Sequence, residues 1–199
     1  MTKPFVRPPA PPSGAAPKRA MAPSAPAAAA VPAAPGAPGA SAILVPKVLH
    51  LMPGQWHFGQ GLQLRTLLGS CVAITLWHPH KRIGGMCHFL LPSRTSRGQA
   101  PLDGRYGDEA VELLLQSIKQ SGAQPKDFLA HLYGGADTMP DGANVKFNVG
   151  QRNIERGWAL IDQHGFQLQD VDVGDFVPRT VTLDLPSGKV EIKRGAASR

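Results

Sequence analysis

A cysteine that closes a small, glycine-punctuated turn can present its sulfur to a substrate, and Cys71 stands at the end of such a turn, Leu68-Gly69-Ser70. Seventeen residues later His88 stands in Gly84-Gly85-Met86-Cys87-His88-Phe89. An imidazole brought beside a thiol takes its proton and leaves the thiolate, the nucleophilic form. If the two segments pair as an antiparallel hairpin around His78-Pro79-His80-Lys81-Arg82, Cys71 falls opposite His88 to within one residue. Opposed Cα atoms in such a ladder are about 4.5–5.5 Å apart. The chemistry on offer is addition of sulfur to an acyl carbon with the histidine moving protons. The same segments also fit a buried structural cysteine and a core histidine satisfied by backbone, and spacing alone does not choose. Ser70 is a poor serine nucleophile, because the hydrolase elbow needs glycines two residues to either side and here stand Leu68 and Val72. Cys87 adjoins His88, so on a strand it faces the other way and reads as a small buried hydrophobe.

The elements that must position this pair follow from periodicity. Residues 41–51 open the fold as an edge strand interrupted by Pro46, and 52–61 are turn-rich. Alternation begins at Leu62. In the next strand Val72, Ile74 and Leu76 make one face and Cys71, Ala73, Thr75 and Trp77 the other. The return strand spans 83–91, with Gly84-Gly85 marking a bulge or a close backbone approach, and 93–104 form a polar loop. Ala110, Val111, Leu114, Leu115 and Ile118 form the apolar stripe of a helix over 108–121, stopped by Gly122. A strand over 128–133 runs into Gly134-Gly135-Ala136, and a loop covers 137–143. Asn148 with Gln151 reads as the N-terminal cap of a second helix over 149–164, closed by Gly165, with Ile154, Trp158 and Ile161 inward. A strand over 166–173 and a hairpin of 180–185 with 189–193 complete the chain. Strands outnumber helices and include hairpins, so the fold class is α+β: a layered sandwich of mixed or antiparallel sheet with two main helices packed outside.

Composition bounds the rest. Residues 1–40 hold eleven of the twenty prolines, many alanines and no acid, and are expected to be a disordered tail ahead of one domain over 41–195, with a short tail at 196–199. Prolines interrupt every candidate signal peptide, and no stretch reaches the roughly 18–20 apolar residues of a membrane span. The expected location is the cytoplasm, without membrane insertion. Two cysteines are too few for a disulfide framework, and neither they nor the seven histidines show metal-site spacing, so no metal or cofactor is expected. All fourteen acids lie at Asp103 or later, leaving the first 102 residues at +10. Arg65, Lys81, Arg82, Arg94 or Arg97 near the sulfur would lower the thiol pKa. Basic charge also attracts acidic partners, but no nucleic-acid reading motif accompanies it.

The run Thr66-Leu67-Leu68-Gly69-Ser70-Cys71-Val72, followed by Gly84-Gly85-Met86-Cys87-His88-Phe89-Leu90-Leu91-Pro92, resembles the CheD family of chemoreceptor glutamine deamidases. The resemblance continues in order through Arg105-Tyr106-Gly107-Asp108, Tyr133-Gly134-Gly135-Ala136, Val149-Gly150-Gln151-Arg152-Asn153-Ile154 and Pro178-Arg179. It departs at Cys87, where the family often has asparagine, and at Gly174-Asp175-Phe176, and it has no counterpart for the first 40 residues. The resemblance implies a cysteine-dependent protein-glutamine deamidase with Cys71 as nucleophile, His88 as acid and base, and Thr66 orienting His88. Backbone N–H groups around Ser70 and Cys71 would hold the oxyanion. The implied partners are the cytoplasmic domains of chemoreceptors and a CheC-type phosphatase. The alternative is a non-catalytic adaptor using the same surface.

Overall fold

The computed structural model describes residues 47–137 and 148–196. The expected N-terminal tail, most of the loop assigned to 137–143 and the last three residues lie outside the described residues. The described strands are β1 (Val48–His50), β2 (Trp56–Gly59), β3 (Gln63–Leu68), β4 (Val72–His78), β5 (Ile83–Phe89), β6 (Leu129–Gly134), β7 (Gln167–Val173), β8 (Arg179–Asp184) and β9 (Val190–Arg194). Helix α1 (Gly107–Gln120) joins β5 to β6 and helix α2 (Val149–His164) joins β6 to β7. One sheet has the order β1-β3-β8-β9 and the other β2-β5-β4-β6-β7. β1/β3 and β6/β7 pair in parallel and the other neighbours antiparallel.

Strand β4 shows how the sequence sorts itself into layers. Side chains alternate across a strand. Val72, Ile74 and Leu76 pack with Cys87, Phe89 and the stripes of both helices in one core. Ala73 packs with Leu64, Leu68, Met86, Tyr133, Val181 and Leu183 in another, with Cys71 and Trp77 at its margin. Both helices therefore cover one face of the five-stranded sheet and the four-stranded sheet covers the other. Each fully buried aliphatic side chain in these two cores contributes about 1.5–3 kcal/mol. The α+β sandwich expected from the pattern is the observed architecture.

Local signals set the helix ends. Asn148 Oδ1 accepts the Gln151 N–H at 2.9 Å, and Gly165 takes the left-handed conformation (φ 69°) that ends α2. In α1, Ala110, Val111, Leu114 and Ile118 are buried, and Asp108 and Glu109 complement the N-terminal dipole. Asp108 also pairs with Arg156 of α2, fastening the helices together.

Two expectations need correction. The segment read as turn-rich contains β2, which pairs with β5 through Trp56↔Cys87 to Gly59↔Gly84. The β4–β5 register also differs: Ala73, not Cys71, opposes His88, and the ladder closes at His78↔Ile83. The cause is the turn. Arg82 adopts a left-handed conformation (φ 51°) and its N–H bonds to the His78 carbonyl at 2.9 Å, which moves the closing pair. A shift of two residues keeps every side chain on its face. Gly84-Gly85 mark close approach rather than a bulge. A Cβ on Gly84 would strike the Leu76 carbonyl oxygen, and one on Gly85 that of His57.

Candidate active site

Cys71 lies just ahead of β4, on the face shared by Ala73, and is half-buried. His88 opposes Ala73, so the thiol and the imidazole occupy the same inter-sheet face one diagonal step apart. Thr66 comes from the opposite layer. It alternates with Leu64 and Leu68 on the inner side of β3 and is almost fully buried. The site is thus built where two sheets meet, with one residue from β3, one ahead of β4 and one on β5.

The hydrogen bonds around His88 fix its protonation. Thr66 Oγ1 is 2.8 Å from the Leu51 carbonyl oxygen and 2.7 Å from His88 Nδ1. A carbonyl cannot donate, so the single hydroxyl hydrogen goes to Leu51 and the hydroxyl accepts from Nδ1–H. The neutral ring then carries its lone pair on Nε2. His88 Nε2 is buried without a hydrogen-bond partner among the described residues. The backbone of His88 is held on both sides, its N–H donating to Gln55 at 3.0 Å and its carbonyl accepting from Gly54 at 2.7 Å. The segment containing β2 therefore positions the imidazole.

Burial pushes the His88 pKa down to about 4, against the raising effect of the Leu51 carbonyl. Burial pushes the Cys71 thiol up. The expectation that basic residues lower the thiol pKa is not met, and geometry explains why. Lys81 and Arg82 sit at the far end of β4, roughly 20 Å along a seven-residue strand. Arg65 alternates with Thr66 and points to the other face of β3. Arg94 is neutralised by Glu109, with Nε 2.6 Å from Oε1. Burial therefore favours the thiol and the neutral imidazole over an ion pair.

The turn before the sulfur is fastened carbonyl by carbonyl. Ala136 N–H donates to Gly69 O at 2.9 Å, Asn153 Nδ2 to Ser70 O at 3.2 Å, and Gly135 N–H to Cys71 O at 2.7 Å. Gly134 and Gly135 have φ of 105° and 67°, and a Cβ on Gly134 would strike the Cys71 carbonyl. Glycine is needed here so that β6 can end against the cysteine turn. The N–H groups of Ser70 and Cys71 donate to no backbone carbonyl among the described residues. Paired free N–H groups of this kind can receive a developing oxyanion.

The positions singled out in the sequence thus converge: Thr66 and His88 are bonded, Cys71 is on their face, and Ser70 supplies a free N–H and an anchored carbonyl. Sequence reasoning missed the Leu51 carbonyl, which has no side-chain signature, and the anchoring by Asn153. An asparagine inside a helix, where it is a weak helix former, was the available signal for the latter. A depression of about 360 Å³ bounded by Leu49, Leu51, Gly54, Gln55 and Trp56 has neither Cys71 nor His88 in its walls. Cys71 itself is partly exposed. Among the described residues no helix is long and apolar enough to cross a membrane.

The sequence is similar to those of known proteins. The family model described as CheD chemotactic sensory transduction matches residues 90–194, a span that begins after Thr66, Cys71 and His88. The protein named probable chemoreceptor glutamine deamidase CheD 1 of Chromobacterium violaceum is 45% identical over 150 residues, covering 74% of this chain and 78% of that one. The probable chemoreceptor glutamine deamidase CheD of Pseudomonas syringae pv. tomato is 44% identical over 146 residues, covering 72% and 86%. The like-named protein of Methanococcus maripaludis is 37% identical over 134 residues, covering 67% and 85%. A family match over more than half of the chain, joined to identities of this size over most of its length, means that the chain belongs to the CheD family.

Proposed function

We propose that this protein hydrolyses the side-chain amide of selected glutamines in the cytoplasmic domains of chemoreceptors, releasing ammonia and leaving glutamate, through a thioester on Cys71. The observation that carries the reading is the buried Nε2 of His88, without a hydrogen-bond partner among the described residues, its tautomer set by Thr66 and its residue one diagonal step along the ladder from Cys71. The names of the relatives supply the substrate. As Cys71 Sγ adds to the amide carbon, its proton passes to His88 Nε2. The carbonyl oxygen becomes an oxyanion beside the N–H groups of Ser70 and Cys71, a donor of this kind being worth about 2.7–4 kcal/mol. The imidazolium gives its proton to the amide nitrogen, the C–N bond breaks and ammonia leaves. Water then loses a proton to His88 and attacks the thioester. The C–S bond breaks, and the thiolate recovers its proton. Throughout, Thr66 keeps Nδ1–H engaged, so that only Nε2 trades protons.

A receptor cytoplasmic fragment incubated with the protein is expected to gain, at each chosen glutamine, the mass of an NH2-to-OH exchange, with one ammonia released per exchange. A fragment whose mass does not change under these conditions overturns the reading.

The buried imidazole makes a second prediction. A base with a pKa of about 4 is already unprotonated above that pH. Ammonia release at low substrate should therefore hold as pH falls from neutrality to about 5 and decline through about 4. An unshifted histidine would lose it through about 6.5. The same shift links to stability. The unfolded chain binds the His88 proton first, so this contribution is complete above about 6.5 and is lost as pH falls through about 4. A kcat/KM profile with its acid limb near 6.5 would refute the buried neutral base.

A further inference from the structure

We propose that Asn153 orients the oxyanion-binding peptide of this site, an inference that rests on the Cys71 reading. Asn153 is fully buried in the second turn of α2. Its Nδ2 donates to the Leu90 carbonyl at 2.8 Å and to the Ser70 carbonyl at 3.2 Å. Both partners are acceptors only, which fixes the amide with its nitrogen toward them. Its Oδ1 is left buried with no partner among the described residues. A side chain kept only to fill space would not retain an unpaired oxygen, since an aliphatic group of similar volume avoids that desolvation cost. What the asparagine contributes is the pair of hydrogen bonds.

Those bonds bear on catalysis through peptide geometry. The chain contains no cis peptide bond among the described residues, so the Ser70 carbonyl and the Cys71 N–H belong to one planar trans unit and point in opposite directions. Holding Ser70 O toward α2 therefore aims Cys71 N–H away from α2. A hydrogen bond accepted by the carbonyl also polarises the unit and makes that N–H a stronger donor. The Leu90 bond ties the same amide to the residue two beyond His88, so one side chain sets the donor peptide against the end of the strand that carries the base. Asn153 acts through that peptide and is a positioning residue.

The test is Asn153→Ala in the full chain, with three readouts. Ammonia release from a receptor cytoplasmic fragment should show kcat down about 10- to 100-fold with KM within about twofold, because the contact matters only when charge sits on oxygen. Alkylation of Cys71 by iodoacetamide, which forms no oxyanion, should stay within about twofold of the parent. Binding of a peptide aldehyde, which forms a tetrahedral adduct on sulfur, should weaken by about the same factor as kcat. An unchanged kcat, or an equal fall in alkylation, overturns the proposal, the latter because Asn153 would then only hold the sulfur in place. If the variant does not fold, the parent protein decides. Its Cys71 amide proton should move downfield when the aldehyde binds, and a resonance that stays in place refutes the assignment. Loss of activity in Cys71→Ala, measured beside these, separates failure of this inference from failure of the Cys71 reading.

Discussion

Replacing Cys71 with alanine is expected to lower ammonia release from a chemoreceptor fragment by about 10^4- to 10^6-fold while the protein keeps its fold, because the proposed mechanism forms its acyl intermediate on that sulfur. Replacing His88 with alanine should cost about 10^2- to 10^4-fold, the usual worth of a positioned acid–base group. The double variant should be no worse than Cys71→Ala alone, since in the proposed mechanism thiol and imidazole act as one device and only the first loss counts in full. Additive losses would mean that the two residues work separately. The same assay distinguishes the adaptor alternative. A protein that only binds receptors would leave the fragment's mass unchanged with Cys71 intact, and the two alanine variants would then be indistinguishable from the parent.

How far the sequence foretold this site depends on which interactions set each part. The two faces of β4 and the caps of α2 were legible, because alternation at Val72, Ile74 and Leu76 and the Asn148–Gln151 contact are local. β2 was not. Four residues at the edge of a sheet carry little periodicity, and their place is set by pairing with Gly84 to Cys87. The hairpin register was missed by two residues because a left-handed Arg82 cannot be read from its side chain. The error was harmless to the site because an even shift preserves the face. The thiol electrostatics were misjudged for a different reason. Counting cations in a segment says nothing of distance, and the nearest candidates prove to be paired, on the opposite face or at the far end of the strand. The resemblance to the CheD family was legible because its motifs are short runs in fixed order. Their physical content, such as Gly135 and Ala136 anchoring the cysteine turn, emerges only when β6 is laid beside it.

The largest loss of stability is expected at Asp172, well away from the sulfur. Arg179 opens β8 opposite Leu68, the residue that leads into the cysteine turn, and its side chain is fully buried. Its Nε is 2.8 Å from Asp172 Oδ1 and its Nη1 3.2 Å from the Val177 carbonyl, while Nη2 is buried without a partner among the described residues. Asp172 lies on β7, the edge of the other sheet, so this ion pair joins the two layers. Burial pushes the Asp172 carboxyl up, but the hydrogen bonds from Arg194 and Arg179 outweigh it and hold the pKa below its ordinary value. Asp172→Ala would leave a guanidinium buried with a single carbonyl for company, and the expected cost is about 3–5 kcal/mol, measured as a lower urea midpoint with unchanged slope. Arg194 meets the same carboxylate from an exposed position, and Arg194→Ala should lower the urea midpoint far less than Asp172→Ala does. Adding Arg179→Leu to Asp172→Ala should recover part of the loss, because the penalty comes from the stranded charge rather than from the missing contact. The depressed carboxyl gives the same bridge a pH signature. Its contribution is complete above the unfolded value of about 3.9 and is lost as pH falls through the lower folded one, so the parent should lose more stability there than Asp172→Ala does. A variant that unfolds at the parent's urea midpoint would show that the buried guanidinium finds other partners and that the layers are held by apolar packing alone.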